Sequence, residues 1–299
     1  MKIEYSKKIV AGKKKGLPIL ALESSIIAQG MPYPDSFEFA KKAESVCESL
    51  GVIPAMVAII NGKIHVGLNR NQLEYIAKDP DIKKVSKREL GIALSKGWSG
   101  ATTVSSTTHI ARIADIEVFS TGGIGGVHRQ IEHSFDVSQD LVELSKTPIV
   151  IVSSGAKSIL DLPKTVELLE TLGITVLGYK TNEFPSFYSR SSGIKNIQKI
   201  NSVKEIIDVY GHGKAIQNKT ALLVTNPVPR DHEIPTSEIE TIIKGGLVEQ
   251  KKQFISGKRL TPFLLEHVLK KTGGKSLKTN ISLALNNIKL GAKIAKNLL

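Results

Sequence analysis

Short apolar runs of strand length alternate with segments of helical period along most of this chain. That alternation restricts it to folds in which a largely parallel or mixed sheet is covered by helices on both faces. The strand-like runs are residues 18–22, 116–120, 148–152, 174–178 and 221–225. Between them, residues 36–50 place Phe39, Ala43, Val46 and Leu50 on one helical stripe, with Gly51 as the stop. Residues 102–114 and 162–172 carry the same period. Residues 55–68 read as a hairpin, because Asn61-Gly62 supplies the positive φ angles of a two-residue turn. The last ~65 residues hold helical patterns only, ending in one over 277–298. No linker rich in Pro, Gly or Ser interrupts the pattern and no repeat is visible. The expectation is a single domain over 1–299, a three-layer α/β/α fold with a largely parallel or mixed central sheet.

Composition narrows the function classes. The lone Cys47 removes a disulfide framework and a cysteine-based zinc site. No apolar run approaches the roughly 20 residues of a membrane helix. Residues 1–10 are polar, with no apolar stretch leading to a cleavage site, so a cytoplasmic protein without a membrane partner is expected. The 41 Lys+Arg against 28 Asp+Glu leave a formal charge of +13, a tempting sign of nucleic acid. Yet the lysines are scattered and aromatics are only 5%, whereas nucleic-acid readers group arginine with aromatics. A solvated, lysine-rich surface is the expectation, with no nucleic-acid partner.

In α/β folds ligands collect where strands end, so the polar residues at strand exits are the candidates. Glu23 closes the first run; half-buried, it suits proton transfer, and it equally suits a salt bridge. The run at 116–120 leads into Gly122, Gly123, Gly125 and Gly126, whose spacing fits neither the dinucleotide nor the P-loop fingerprint. Four glycines still let a phosphate or ribose approach the backbone, or simply form a tight turn. Lys157 follows the run at 148–152 and a glycine turn, close to an expected helix start. There the dipole favours a neutral amine able to attack a carbonyl or sugar carbon. A surface lysine beside a cap formed by Ser158 or Asp161 fits the same spacing. Asp136 and Asp140 flank Ser138, an expected helix cap, and Asp136 suits a hard divalent cation completed by water. Lys84, Lys87 and Arg88 suit a phosphate or a solvated face, and the hydroxyls of Thr102, Thr103, Ser105 and Ser106 suit an anion at a helix start.

Taken in order, these segments resemble the pseudouridine-5′-phosphate glycosidase family, also called indigoidine synthase A-like. The matching stretches are ALESSIIAQGMPYP from residue 21, KVSKREL from 84, GATTVSSTTHIARIADIEVFSTGGIGGVHR from 100, FDVSQDLVEL from 135, VSSGAKSILDLPK from 152 and TGGKSLKTNISLALNN from 272. The resemblance implies reversible cleavage of the C–C glycosidic bond of pseudouridine 5′-phosphate to uracil and ribose 5-phosphate. It further implies a divalent cofactor, typically manganese, and a homotrimer. By matched position Lys157 takes the nucleophile role, Glu23 the proton donor and Asp136 the metal ligand. Lys84, Val104, Ser138, Gln139 and Asp140 fall in substrate-binding stretches, and His128 and Asn280 lie in matched blocks. Two positions depart from the family pattern. Gln29 stands where histidine is usual and cannot titrate, and Gln139 makes SQD of the common SAD.

The chemistry fits that implication. An ordinary glycosidase protonates a heteroatom leaving group, but in pseudouridine a carbon leaves. Opening the ribose and forming an imine at C1′ supplies the electron sink, which requires a neutral amine and an acid. A non-catalytic phosphosugar sensor using the same loops is the alternative expectation.

Overall fold

The computed structural model describes residues 3–195, 197–255 and 257–298. Its strands are β1 (Ile3–Tyr5), β2 (Ile19–Glu23), β3 (Ile53–Ile60), β4 (Lys63–Val66), β5 (Lys83–Val85), β6 (Gly100–Thr102), β7 (Val118–Ser120), β8 (Val150–Ser153), β9 (Thr175–Tyr179), β10 (Gln198–Ile200) and β11 (Leu222–Thr225). They form one sheet in the order β1-β4-β3-β2-β7-β8-β11-β9-β10, with β5 and β6 as a side arm on β3. From β3 to β10 every pairing is parallel, while β4 and β6 run antiparallel to β3. The sheet is therefore mixed, with a parallel centre. Strands β7, β8 and β11 are buried at every position, as strands covered on both faces must be.

The helices Asp35–Ser49 and Lys275–Asn297 pack on one another and on the sheet, the latter crossing β2, β7 and β8. The helix Val104–Ile113 covers β2, β3 and β7 from the second face and leans on the helix Gln139–Leu144. The three-layer expectation holds. The hairpin forms as expected, with Asn61 at φ 49° and Gly62 at φ 70° joining β3 to β4. Cys47 lies fully buried on Asp35–Ser49, and burial pushes its thiol up to about 12.

The structure corrects one boundary. The expected helix over 102–114 begins at Val104, because Thr102 belongs to β6. The reason positions the site. β2 covers only Ile53–Val57 of one edge of β3, and β6 takes over that edge at Ala58. Ser24 ties the change of partner, its Oγ donating to the Val57 carbonyl at 2.6 Å and accepting from the Thr102 N–H at 2.8 Å. Glu23, the last residue of β2, therefore sits where the parallel sheet gives way to its reversed arm.

Candidate active site

Glu23 is 4% exposed, and Ser25 and Thr121 each donate a hydroxyl hydrogen bond to its carboxylate. Burial raises its pKa above the usual carboxylate range. The charge of Lys157 and the two hydroxyls oppose that rise, and Asp140 adds to it. The half-buried carboxyl expected from sequence is thus almost fully buried, held by hydroxyls.

Lys157 lies in the turn after β8. Gly155 takes φ 78° there, and a Cβ on it would lie 2.2 Å from the Pro185 carbonyl oxygen, so only glycine fits. The turn is laced to the glycine loop, with the Ile124 N–H donating to Gly155 O at 3.0 Å and the Lys157 N–H to Ile124 O at 3.1 Å. The helix after it begins only at Leu162, capped by Asp161, so Lys157 stands outside the first turn where a helix dipole acts. Arg129 secures the turn instead. Its Nη2 donates to Ser158 O at 2.9 Å and its Nε to Leu160 O at 3.2 Å, and the same guanidinium grips both oxygens of Glu240 at 2.8 and 2.6 Å. Buried Asn287 holds the other side, donating to Thr121 O at 2.9 Å and to Ser154 Oγ at 3.1 Å.

Two lobes meet at Glu23, Ser25, Lys84, Lys157 and Thr261. The larger, of about 310 Å³, is polar and is lined also by Arg88, Val104, His128, Asp136, Ser138, Gln139 and Asp140. Nine of the ten residues expected from sequence therefore line one cavity, and Asn280 lines the lobe beside it. The two aspartates have separated roles. Asp140 is 5% exposed, and its Oδ1 accepts from the Ser105 N–H at 2.9 Å and its Oδ2 from the Gly125 N–H at 2.8 Å. It clamps a helix start to the glycine loop. Gly125 is obligatory, since a Cβ there would lie 2.2 Å from Ser138 Oγ and 2.7 Å from Asp140 Oδ2. At the helix start whose hydroxyl run was expected to meet an anion, the Ser105 N–H is thus already occupied. Asp136 keeps its carboxylate toward the lobe, 4.0 Å from His128 Nε2. Burial lowers the His128 pKa, with Lys84 and Lys157 adding and Asp136 opposing, so its imidazole is favoured neutral.

Of the basic residues suggested for phosphate, Lys87 is engaged elsewhere, as is the nearby Arg129. Lys87 pairs at 2.5 Å with buried Glu143, which also meets His109 and Thr147, and Arg129 pairs with Glu240. Arg88 lines the lobe, its backbone N–H held by Gln139 Oε1 at 3.0 Å.

The second lobe is narrow, about 40 Å³, and its walls include Ile26, Gly122, Gly123, Phe187, Pro262 and Leu265. Its polar residues include Gln29, whose Nε2 donates to Ile82 O at 3.2 Å, and Asn280, whose Nδ2 reaches Gly30 O at 3.4 Å. The side-chain oxygens of both are buried without a partner. The aromatics Phe184, Phe187 and Tyr188 are all buried, and Phe187 also lines this lobe. Thr261, Pro262 and Leu265 come from the helix Leu260–Lys271, and their helical pattern carried no sign of a site. Asn287 was equally silent in sequence, as a polar residue within a helical stripe.

Among the described residues no group of three or more His, Cys, Asp or Glu could hold a metal. Asp136 alone, with water and a ligand phosphate, fits the way magnesium- or manganese-type ions are bound.

The mixed α/β sheet and this two-lobed site define an indigoidine synthase A-like protein. Residues 8–297 match the family described as Indigoidine synthase A like protein, and the chain belongs to it. Among its relatives the pseudouridine-5′-phosphate glycosidase of Staphylococcus aureus (strain MW2) is 46% identical over 293 residues, 98% of this chain and 95% of that protein. The crystal structure of an indigoidine synthase A-like protein from Thermotoga maritima superposes with a TM-score of 0.91 at 38% identity, covering 99% of this chain and 96% of that one. The prealnumycin C-glycosynthase AlnA, in complex with ribulose 5-phosphate, reaches the same TM-score at 33% identity over 99% and 96% of the two chains.

Proposed function

We propose that this protein is a pseudouridine-5′-phosphate glycosidase that reversibly cleaves its substrate, with water, to uracil and ribose 5-phosphate. One observation carries the reading: a buried acid, Glu23, and an amine, Lys157, stand together where a polar lobe meets a narrow flat one. The relatives' names and the ribulose 5-phosphate complex of AlnA support the same substrate class.

In this reading the sugar phosphate occupies the polar lobe and uracil the narrow one, which sets C1′ between Glu23 and Lys157. Glu23, whose neutral form burial favours, gives its proton to the ring oxygen as the C1′–O4′ bond breaks and Lys157 Nζ, reacting as the neutral amine, bonds C1′. The new ammonium returns a proton to Glu23. The nitrogen lone pair then closes a C1′=N imine as the C1′–C5 bond breaks, and C5 takes the proton from Glu23. Water hydrolyses the imine to ribose 5-phosphate and restores both groups. Binding of the remote phosphate orients the reacting carbon. A divalent ion, manganese in this reading, would be held by Asp136 with water and would offset phosphate charge. The enzyme works as a cytoplasmic homotrimer in the same proposal.

Uracil release followed in the ultraviolet, with and without manganese, tests the reaction, and Lys157→Ala should abolish it. Borohydride with ribose 5-phosphate should trap an adduct on Lys157. Turnover without any adduct would end the imine mechanism. Saturable ribose 5-phosphate binding with no uracil release would make the protein a sensor instead.

A further inference from the structure

The narrow lobe adjoins a larger cavity at each of two places. At one end it shares Glu23, Ser25, Lys84, Lys157 and Thr261 with the polar lobe. It also shares Gln29, Gly30, Pro262, Leu265 and Asn280 with a third cavity of about 390 Å³. The two sets have no member in common, so the two neighbours meet it at different places on its wall. The third cavity runs between the segment 28–32 and the helix Leu260–Lys271, and its surface is mainly apolar, with Met31, Leu269 and Leu277 contributing. Where the narrow lobe adjoins the third cavity stands the Asn280–Gly30 hydrogen bond, at 3.4 Å a weak one that an entering ligand would have to part.

We propose that this groove is an aglycone-extension subsite, taking an apolar substituent carried on the edge of the uracil ring remote from the scissile bond. The inference rests on the placement of uracil in the narrow lobe. A ring whose C5 faces Lys157 turns N1, C2 and N3 toward that contact, and only the ring nitrogens can carry a substituent without loss of a carbonyl. The ligand class is therefore N-substituted uracils with flat or apolar groups, and the C-ribosyl phosphates that contain them. Each extra buried methylene contributes to affinity in such a groove, and nothing in the bond-breaking steps changes.

Binding separates the subsite from the catalytic reading. Calorimetry on the full chain with ribose 5-phosphate present should show 1-benzyluracil binding at least about tenfold tighter than 1-methyluracil. Leu269→Trp, which fills the groove from one wall, should remove that difference. Leu277→Phe does the same from the other wall, should the tryptophan variant fold poorly. Equal affinities for the two ligands, or a preference unmoved by both variants, would overturn the subsite. In turnover, N1-benzylpseudouridine 5′-phosphate should keep kcat/KM within about tenfold of the unsubstituted substrate, and Leu269→Trp should lower only the former. Cleavage of the unsubstituted substrate alone would also overturn the proposal. Failure to release uracil from the unsubstituted substrate and 1-benzyluracil from the substituted one counts against the glycosidase reading, and the two-ligand comparison then decides the groove by itself.

Discussion

Glu23 lies between opposing influences, burial favouring its neutral form and three neighbours favouring its charged one. Its folded pKa is raised, so the native state binds a proton that the unfolded chain has released over the interval between the two values. Stability from this group is full below the unfolded carboxylate pKa, near 4.3, and is lost as pH rises through the folded value. Glu23→Gln should therefore abolish uracil release yet raise Tm at neutral pH, with the gain vanishing near pH 4; thermal melts at the two pH values check it. Thr121→Val removes a hydrogen bond that favours the carboxylate, so the basic limb of the kcat/KM profile should move to higher pH. At this scale the sequence was informative, because Glu23 and Lys157 both stand at strand exits. It placed Asp140 in a substrate-binding stretch and could not show that both its oxygens are taken by backbone N–H groups. That depends on how the folded loop turns Ser105 and Gly125 toward it.

The short elements around the site act as clamps, and Asp140 joins two of them. Asp140→Ala leaves the Ser105 and Gly125 N–H groups without their acceptor, each costing about 1–3 kcal/mol if it stays dry. Urea unfolding should show a loss of at least about 2 kcal/mol, and Asp140→Asn, which keeps one acceptor, should lose about half as much. The five apolar runs appear as β2, β7, β8, β9 and β11 within a residue or two, because doubly covered strands must be apolar throughout. Strands β1, β5, β6 and β10 have three residues each and, unlike the equally short β7, lie in no apolar run. That is why β6, and with it the change of edge beside Glu23, was invisible.

Across the whole molecule, the C-terminal helices close a site that the sheet begins. Arg129 joins the Lys157 turn to Glu240 on the helix Thr236–Lys252, and only its planar fork reaches the two carbonyls and the carboxylate together. Arg129→Lys should lower kcat about tenfold or more, whereas Glu240→Gln, which leaves the turn's carbonyls bonded, should act mainly on KM; steady-state kinetics separate the two. The charge of +13 reads differently against this frame of contacts. Many lysines sit in exposed pairs such as Lys204–Asp208, which contribute little, while Lys84 and Lys157 face the cavity. Cys47 carries a last consequence. With its thiol inert inside the sheet-facing helix, the native chain is already a blank background for maleimide chemistry. One cysteine placed on the exposed face of Leu260–Lys271, which lines both lobes, could then carry a fluorophore or spin label and report how the roof of the cavity sits as ligand arrives.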